Sequence, residues 1–302
     1  MQCNANCKSG SPAKGKPAWL KKKLPLGGDY QRVTRLLSES KLHTVCQEAN
    51  CPNMFECFSK DTSTFMILGS QCTRHCRFCN VTAKDPMPVD PLEPQRIADA
   101  SKELGLRYVV VTSVTRDDLP DGGARQFADT IKAIKTTLPT DGESKPRVEV
   151  LIPDFQGDVD ALKIVVDAAP DVLNHNLETV ASQYSRVRPE AVYQRSLDLI
   201  ANVKRLNPEM LTKSGIMVGL GETVEELEQA MADLHAHGCD ILTIGQYLQP
   251  TRDHLPVFTY YTPEQFDALG SKAKEIGFKR VASGPHVRSS YKAQDLFDDD
   301  GK

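Results

Sequence analysis

Between residues 64 and 276, apolar runs of strand length alternate with amphipathic helical stretches six times over, and this alternation limits the folds open to the chain more than anything else in it. The pairs are 64–68 with 96–104, 107–114 with 125–138, 147–152 with 159–169, 172–177 with 192–206, 215–219 with 224–237, and 241–247 with 263–276. Strands that each feed a helix build a parallel sheet with right-handed crossovers. Six such units predict a partial (β/α)6 barrel of the triosephosphate isomerase kind, with an open doubly wound sheet as the alternative. Either arrangement puts the ligand site at the carboxyl ends of the strands.

The first strand empties into Gly-Ser-Gln-Cys72-Thr-Arg-His-Cys76-Arg-Phe-Cys79. Three thiols spaced C-x3-C-x2-C on one tight loop are one short of a closed four-cysteine cage around an iron–sulfur cluster, which leaves one iron open to a small molecule. Two other readings stand beside this one. The thiols are incidental, or they belong to a structural zinc site, which would want a fourth Cys or His at comparable spacing. His75 is too crowded between Cys72 and Cys76 to be that ligand.

A second triad precedes the strand: Cys46, Cys51 and Cys57, spaced C-x4-C-x5-C, with Pro52 and Asn53 favouring a turn that lets separated residues point back at one centre. It too lacks a fourth cysteine, so the two triads imply two clusters in different chemical situations. Nine cysteines in a reducing compartment are more naturally metal ligands than disulfides. Cys3 and Cys7 read as incidental exposed thiols and Cys239 as core.

A net charge of −3 and 6% aromatic residues argue against nucleic acid as a partner. No apolar run approaches the roughly 20 residues needed to span a bilayer, and the first residues have no signal-peptide core, so the expectation is a cytoplasmic protein with no membrane partner. Residues 1–26, rich in Lys, Pro, Gly and Ser, read as a flexible lead whose lysines are a solvated segment or steer an acidic protein partner. Residues 29–40 read as a short amphipathic helix, and the acidic tail 295–300 as disordered.

The loop Cys72-Thr-Arg-His-Cys76-Arg-Phe-Cys79 resembles that of the radical S-adenosylmethionine enzymes. A zwitterionic nucleoside needs carboxylate or amide acceptors for its ammonium and ribose hydroxyls, and an Arg or backbone donors for its carboxylate. Among the polar strand-end residues, Asn176, Glu178 and Arg188 suit these tasks, and capping of the following helix is the alternative role for each. His175 and His254 read as ligands or bases or, as isolated histidines more often are, as makers of structural hydrogen bonds, and Gly219-Leu-Gly-Glu222 is too short for a phosphate loop.

From about residue 42 to residue 293 the chain resembles the lipoyl synthases. The motifs are Cys46-x4-Cys51-x5-Cys57, Thr-Phe-Met-Ile-Leu-Gly before the loop, Val-Thr-Arg-Asp-Asp-Leu at 114–119 and Arg-Ser-Ser-Tyr at 288–291. The resemblance implies that Cys72, Cys76 and Cys79 hold a four-iron four-sulfur cluster whose open iron binds S-adenosylmethionine, yielding on reduction a radical that no acid–base side chain could supply. It implies a second, auxiliary [4Fe-4S] cluster on Cys46, Cys51 and Cys57, with a serine of Arg-Ser-Ser-Tyr as fourth ligand; Ser290 is chosen over Ser289. A hard alkoxide on a thiolate-preferring centre marks the iron easiest to release, which suits a cluster sacrificed as sulfur donor.

The implied activity is that of a sulfurtransferase placing two sulfurs at C6 and C8 of an octanoyl-lysine chain. The implied partners are octanoylated lipoyl carrier domains (2-oxoacid dehydrogenase E2 subunits and the glycine cleavage H protein), an electron donor such as flavodoxin or ferredoxin, and an iron–sulfur carrier protein. Residues 1–60 would form an N-terminal extension with the auxiliary cysteines, 61–279 the barrel, and 280–302 a C-terminal extension with Arg-Ser-Ser-Tyr. Departures from the family pattern are Phe58 where Trp is usual, His75 and Arg77 at variable positions, and Lys292 in place of a frequent His. A biotin-synthase-like enzyme would lack the second triad and Arg-Ser-Ser-Tyr. A non-catalytic electron carrier would need no open iron.

Overall fold

Ten strands are described: β1 (His43–Thr44), β2 (Thr64–Ile67), β3 (Gln71–Cys72), β4 (Thr82–Ala83), β5 (Tyr108–Ser113), β6 (Arg147–Leu151), β7 (Val172–Asn174), β8 (Leu211–Val218), β9 (Ile241–Gln246) and β10 (Arg280–Gly284). The structure is a computed structural model and describes residues 15–21, 29–58, 63–139 and 145–298. Cys3, Cys7, Lys14, Lys22, Lys23 and residues 299–302 lie outside these ranges. Eight strands form one sheet in the order β1-β2-β5-β6-β7-β8-β9-β10, while β3 pairs only with β4. From β2 to β10 every pairing is parallel, and β1 is antiparallel to β2.

The order never reverses. A doubly wound sheet reverses at its switch point; here each right-handed crossover proceeds in the same direction and so lays its helix on the same face. The helices are α1 (Asp29–Glu39), α2 (Val45–Glu48), α3 (Met54–Phe58), α4 (Glu93–Glu103), α5 (Ala124–Thr137), α6 (Val159–Asp167), α7 (Tyr184–Val187), α8 (Tyr193–Leu206), α9 (Val224–Ala236), α10 (Pro263–Ile276) and α11 (Ala293–Asp298). In the outer layer α4, α5, α6, α8, α9 and α10 pack each against the next. The result is a partial barrel with the expected six strand–helix units and a seventh parallel strand, β10, that the sequence did not announce. Capping boxes start α9 and α10, with Thr223 and Glu226, and Thr262 and Gln265, satisfying the first free amides reciprocally.

Strand β8 begins at Leu211, well before residue 215, because Lys213 enters the interior as half of an ion pair. Its ammonium lies 2.8 Å from Glu149 Oε1, with both side chains 1% exposed, and Tyr108 donates to Glu149 Oε2 at 2.7 Å. The acidic stretch expected to be disordered is helical over Ala293–Asp298. What orders it is Phe297, whose ring packs 5.6 Å from that of Tyr108, with the guanidinium groups of Arg147 and Arg280 at 5.3 and 5.5 Å. At the other end, part of the lead forms a 3-10 turn, Ala18–Leu20, with Leu20 buried in the core. Among the described residues no helix is long and apolar enough to cross a membrane.

Candidate active site

Beyond β2 the chain turns through Leu68 and Gly69, both at positive φ, and enters the loop that carries Cys72, Cys76 and Cys79. The backbone N–H groups of Thr115 and Arg74 point at Cys72 Sγ, at 3.3 and 3.5 Å. Arg74 is buried and anchors the loop: Nε and Nη2 donate to Asp117 at 2.6 and 2.9 Å, and Nη2 also donates to Asp154 at 2.6 Å. From the far side, the Leu255 amide donates to the Arg77 carbonyl and His254 Nε2 lies 2.9 Å from the Cys79 carbonyl. The loop is therefore held by residues from after β5, β6 and β9.

The second triad is assembled by two short helices. Thr44 caps α2, which carries Cys46; the Cys51 amide returns to the Cys46 carbonyl at 3.0 Å; and Cys57 sits on α3, its amide bonded to the Asn53 carbonyl at 2.9 Å. The Arg-Ser-Ser-Tyr segment closes over this triad. Asn53 Nδ2 donates to the His286 carbonyl at 2.8 Å, and Tyr291 donates to Glu56 Oε1 at 2.8 Å.

Both triads, Ser289, Ser290, Asn176, Glu178 and Arg188 line a single cavity of about 990 Å³ at the carboxyl ends of the strands. All the side chains expected to ligate or bind thus meet in one place. Asn176 Nδ2 donates to Glu178 Oε1 at 3.0 Å and to Ser289 Oγ at 3.3 Å. Arg188 donates to the carbonyls of Asn176 and Leu177 and to the Tyr184 hydroxyl. Asn176 Oδ1 and Arg188 Nε are buried without a hydrogen-bond partner, leaving an acceptor and a donor for a polar ligand. Gly215 leaves the space for Asn176: a Cβ there would stand 2.9 Å from Oδ1 and 2.8 Å from Thr243 Oγ1.

The donor set fits iron–sulfur clusters. Burial pushes the Cys46 and Cys79 thiols up to about 12 and raises that of Cys76, and neighbouring thiols in each triad push the same way. Such thiols ionise when a soft metal coordinates them, and thiolate is the donor that iron–sulfur centres take. Among the described residues no three His, Cys, Asp or Glu side chains converge closely enough for a single ion. A four-iron cluster takes one thiolate per iron, so its ligands stand further apart than those of one ion. Burial also raises the Glu178 carboxyl, against the pull of Arg188 and the Asn176 hydrogen bond, so this group would gain from a cationic partner.

His175 is structural, as expected. Nδ1 faces the Ile152 carbonyl at 2.9 Å and Nε2 faces Ser196 Oγ at 3.0 Å, and burial followed by Arg188 lowers it to about 4. The carboxylate of Glu222 folds back onto the amides of Gly219 and Leu220, so that turn is satisfied internally.

Sequence reasoning gave no role in the site to Arg74 or Arg288, took Asn53 only as a turn former and Asp154 only as a polar residue at a strand end. Arg74 gave a signal, an Arg between two cysteines of the first triad; its partners Asp117 and Asp154, 43 and 80 residues away, stood out as polar strand-end residues but not as its partners. Arg288 was visible only as part of a motif, yet it lines the cavity half-buried, with the Glu178 carboxyl among its neighbours.

The model of the radical SAM superfamily matches residues 66–234, and that of the N-terminal domain of lipoyl synthase of the radical SAM family matches residues 2–51. A lipoyl synthase of Caldanaerobacter subterraneus is 57% identical over 92% of this chain and 95% of its own. One of Alkaliphilus metalliredigens is 53% identical over 94% and 97%. Among solved structures, the [FeFe]-hydrogenase maturase HydG superposes with a TM-score of 0.57 at 14% identity, covering 84% of this chain and 67% of its own. Streptococcus suis SuiB bound to S-adenosylmethionine gives 0.53 at 10% identity, over 81% and 51%. These two likenesses establish a shared fold.

Proposed function

The chain belongs to the lipoyl synthase family of the radical S-adenosylmethionine superfamily, and we infer that its two triads hold two four-iron four-sulfur clusters with separate tasks. The family's activity is that of a sulfurtransferase acting on a protein-bound octanoyl chain. In our reading Cys72, Cys76 and Cys79 hold the cluster that takes S-adenosylmethionine, and Asn176, Glu178 and Arg188 contact the nucleoside. Cys46, Cys51, Cys57 and Ser290 hold the auxiliary cluster. When bound, the first cluster and its nucleoside supply a radical able to remove hydrogen from an unactivated carbon, and the auxiliary cluster supplies sulfur for C6 and C8.

The single observation that carries this reading is that both triads and Ser290 line one cavity. A carbon held there shares one cavity with both triads. The chain's own residues do the positioning. Arg74 fixes the loop of the first triad, and Glu178, half-buried in the cavity wall and bonded by Asn176, accepts the ammonium of the nucleoside. The free Nε of Arg188 is a donor for its carboxylate. Residues 1–60 and 280–302 then act together as the auxiliary half and 61–279 as the radical half.

Family membership further supports lipoyl domains of 2-oxoacid dehydrogenase E2 subunits and the glycine cleavage H protein as carriers, a flavodoxin or ferredoxin as electron donor, an iron–sulfur carrier protein for reloading, and a cytoplasmic setting. The test is iron and acid-labile sulfide analysis of anaerobically reconstituted protein, followed by mass spectrometry of an octanoyl-lysine peptide after S-adenosylmethionine and reductant. About eight irons per chain and a product with two added sulfurs are expected. Four irons, with nucleoside cleavage but no sulfur transfer, would remove the auxiliary cluster from the reading.

A further inference from the structure

The Arg-Ser-Ser-Tyr segment is seated by contacts from two unrelated parts of the chain. From the triad side, the buried Asn53, two residues after Cys51, donates to the His286 carbonyl at 2.8 Å. From the barrel side, β9 approaches through Gly245, which pairs with Gly284 of β10. The turn after β10, closed by the Val287 amide on the Gly284 carbonyl at 3.1 Å, folds back directly over Gly245. A Cβ on Gly245 would fall inside the van der Waals shell of the Val287 carbonyl oxygen, 3.1 Å from its carbon and 3.3 Å from Arg288 Nη1. The obstructing atoms are mainly backbone and cannot rotate away. A Cβ on the neighbouring Gly284 would meet only Val287 Cγ2, at an ordinary 3.4 Å.

We propose that Asn53 and Gly245 are positioning residues of the auxiliary centre: by fixing the path of residues 286–288 from opposite sides, they set the distance between Ser290 and the Cys46, Cys51 and Cys57 triad. This rests on the reading of Ser290 as a ligand. Asn53 contributes a directed hydrogen bond to a backbone carbonyl, and Gly245 contributes the absence of a side chain. Ser290 lies three residues beyond Val287, so a displaced Val287 carbonyl moves the hydroxyl off the position a short metal–oxygen bond demands.

The test uses full-length, anaerobically reconstituted protein carrying Asn53→Asp, Gly245→Ala, Gly284→Ala or Ser290→Ala. Asn53→Asp keeps the shape but removes the donor, placing an acceptor against the His286 carbonyl. Each variant is read by total iron, by the Mössbauer signature of the auxiliary cluster's unique iron, by the rate of iron loss to a chelator, and by the ratio of sulfur inserted to 5′-deoxyadenosine released. Asn53→Asp and Gly245→Ala are expected to lose or alter the unique-iron signature, shed auxiliary iron about tenfold faster or more, and still release 5′-deoxyadenosine. Gly284→Ala is expected to match the parent.

Should Ser290→Ala disturb the signature while Asn53→Asp and Gly245→Ala leave it intact, the positioning role is overturned and the ligand reading stands. Should Ser290→Ala itself leave it intact, the ligand reading and the inference built on it are both overturned. If Gly245→Ala fails to fold, Asn53→Asp decides the question alone.

Discussion

Ser289 Oγ accepts a hydrogen bond from Asn176 Nδ2 at 3.3 Å, joining the segment of the auxiliary serine to the carboxyl end of β7 across 113 positions of sequence. The same amide nitrogen donates to Glu178 Oε1 at 3.0 Å, so one side chain touches both halves of the site. Arg288, the residue before Ser289, is half-buried in the same cavity with Glu178 and Cys51 among its neighbours, which makes a second link between the same two halves. On the proposed function, binding of the nucleoside and seating of Ser290 therefore share a partner in Asn176.

Replacing Asn176 by Asp keeps its size, removes both donated hydrogen bonds and sets a second carboxylate beside Glu178. Hydrogen bonds to charged groups contribute about 1.5–3 kcal/mol each. Asn176→Asp is expected to weaken S-adenosylmethionine binding by about tenfold to a hundredfold, measured by equilibrium dialysis of the reconstituted protein. Undiminished affinity would take Asn176 out of the nucleoside site.

Arg74 is the largest single commitment of charge in the site. Its side chain is 4% exposed and that of Asp154 is fully buried, with 2.6 Å between them, and Arg195 approaches the other oxygen of Asp154 at 3.3 Å. Removing one partner of a buried pair strands the other, at a cost of about 3–5 kcal/mol. Arg74→Ala is expected to lower stability by that amount in urea denaturation and to abolish iron retention by Cys72, Cys76 and Cys79, while Arg195→Ala, on a more exposed partner, costs less. A stable Arg74→Ala protein with a full complement of iron would refute the clamp.

The two titratable groups behind this loop act in separate pH windows. Burial and then Arg188 hold His175 at about 4, below the value of about 6.5 for a free imidazole. The unfolded chain therefore takes up a proton at a higher pH than the native one. The contribution is full above about pH 6.5, falls as pH drops toward 4 by at most about 1.4 kcal/mol per unit, and is flat below. Asp154 has the usual carboxylate sign: burial would raise it, but the hydrogen bond and charge of Arg74 hold it well below its ordinary range. Its contribution is complete above about pH 4 and is lost only in stronger acid. Urea midpoints between about pH 8 and pH 5 should fall on the acid side in the parent, flatten in His175→Gln, and in Asp154→Asn run parallel to the parent at a constant offset. A sloping offset for Asp154→Asn would mean that its carboxyl is not ionised throughout.

The barrel and the two triads were legible because their signals are local: an apolar run before a cysteine loop, and fixed spacings within a dozen residues. Asn176 and Glu178 stood out by their place just after β7, and Arg188, which follows α7, as a cation suited to a carboxylate; all three line the cavity. What escaped is held by distant partners. Strand β10 reads Arg-Val-Ala-Ser-Gly, with half-buried residues throughout and no apolar run, and it is a strand because β9 offers it a partner. Lys213 looks like a strand breaker until Glu149, 64 residues away, neutralises it. Gly245 looks like any small residue in a strand; only the fold of the segment after Gly284 shows why nothing larger fits.

Helix α11 follows the same logic, and its role divides into two measurable parts. Its sequence is acidic and predicts a solvated tail, yet Phe297 is drawn in by the Tyr108 ring and two guanidinium groups. A half-buried ring with two cation–π contacts contributes about 2 kcal/mol, so Phe297→Ala should lower the thermal midpoint by several degrees, and Phe297→Leu by less. Tyr291 lies only two residues before α11, and its hydroxyl is bonded to Glu56 beside Cys57. A helix that lets go of the barrel should therefore also loosen the auxiliary serine. In Phe297→Ala, iron on Cys46, Cys51 and Cys57 should pass to a chelator faster than in the parent, while iron on Cys72, Cys76 and Cys79 keeps its rate. A lowered midpoint with both rates unchanged would confine α11 to the stability of the barrel, leaving Asn53, Gly245 and the Tyr291–Glu56 bond to hold the serine segment unaided.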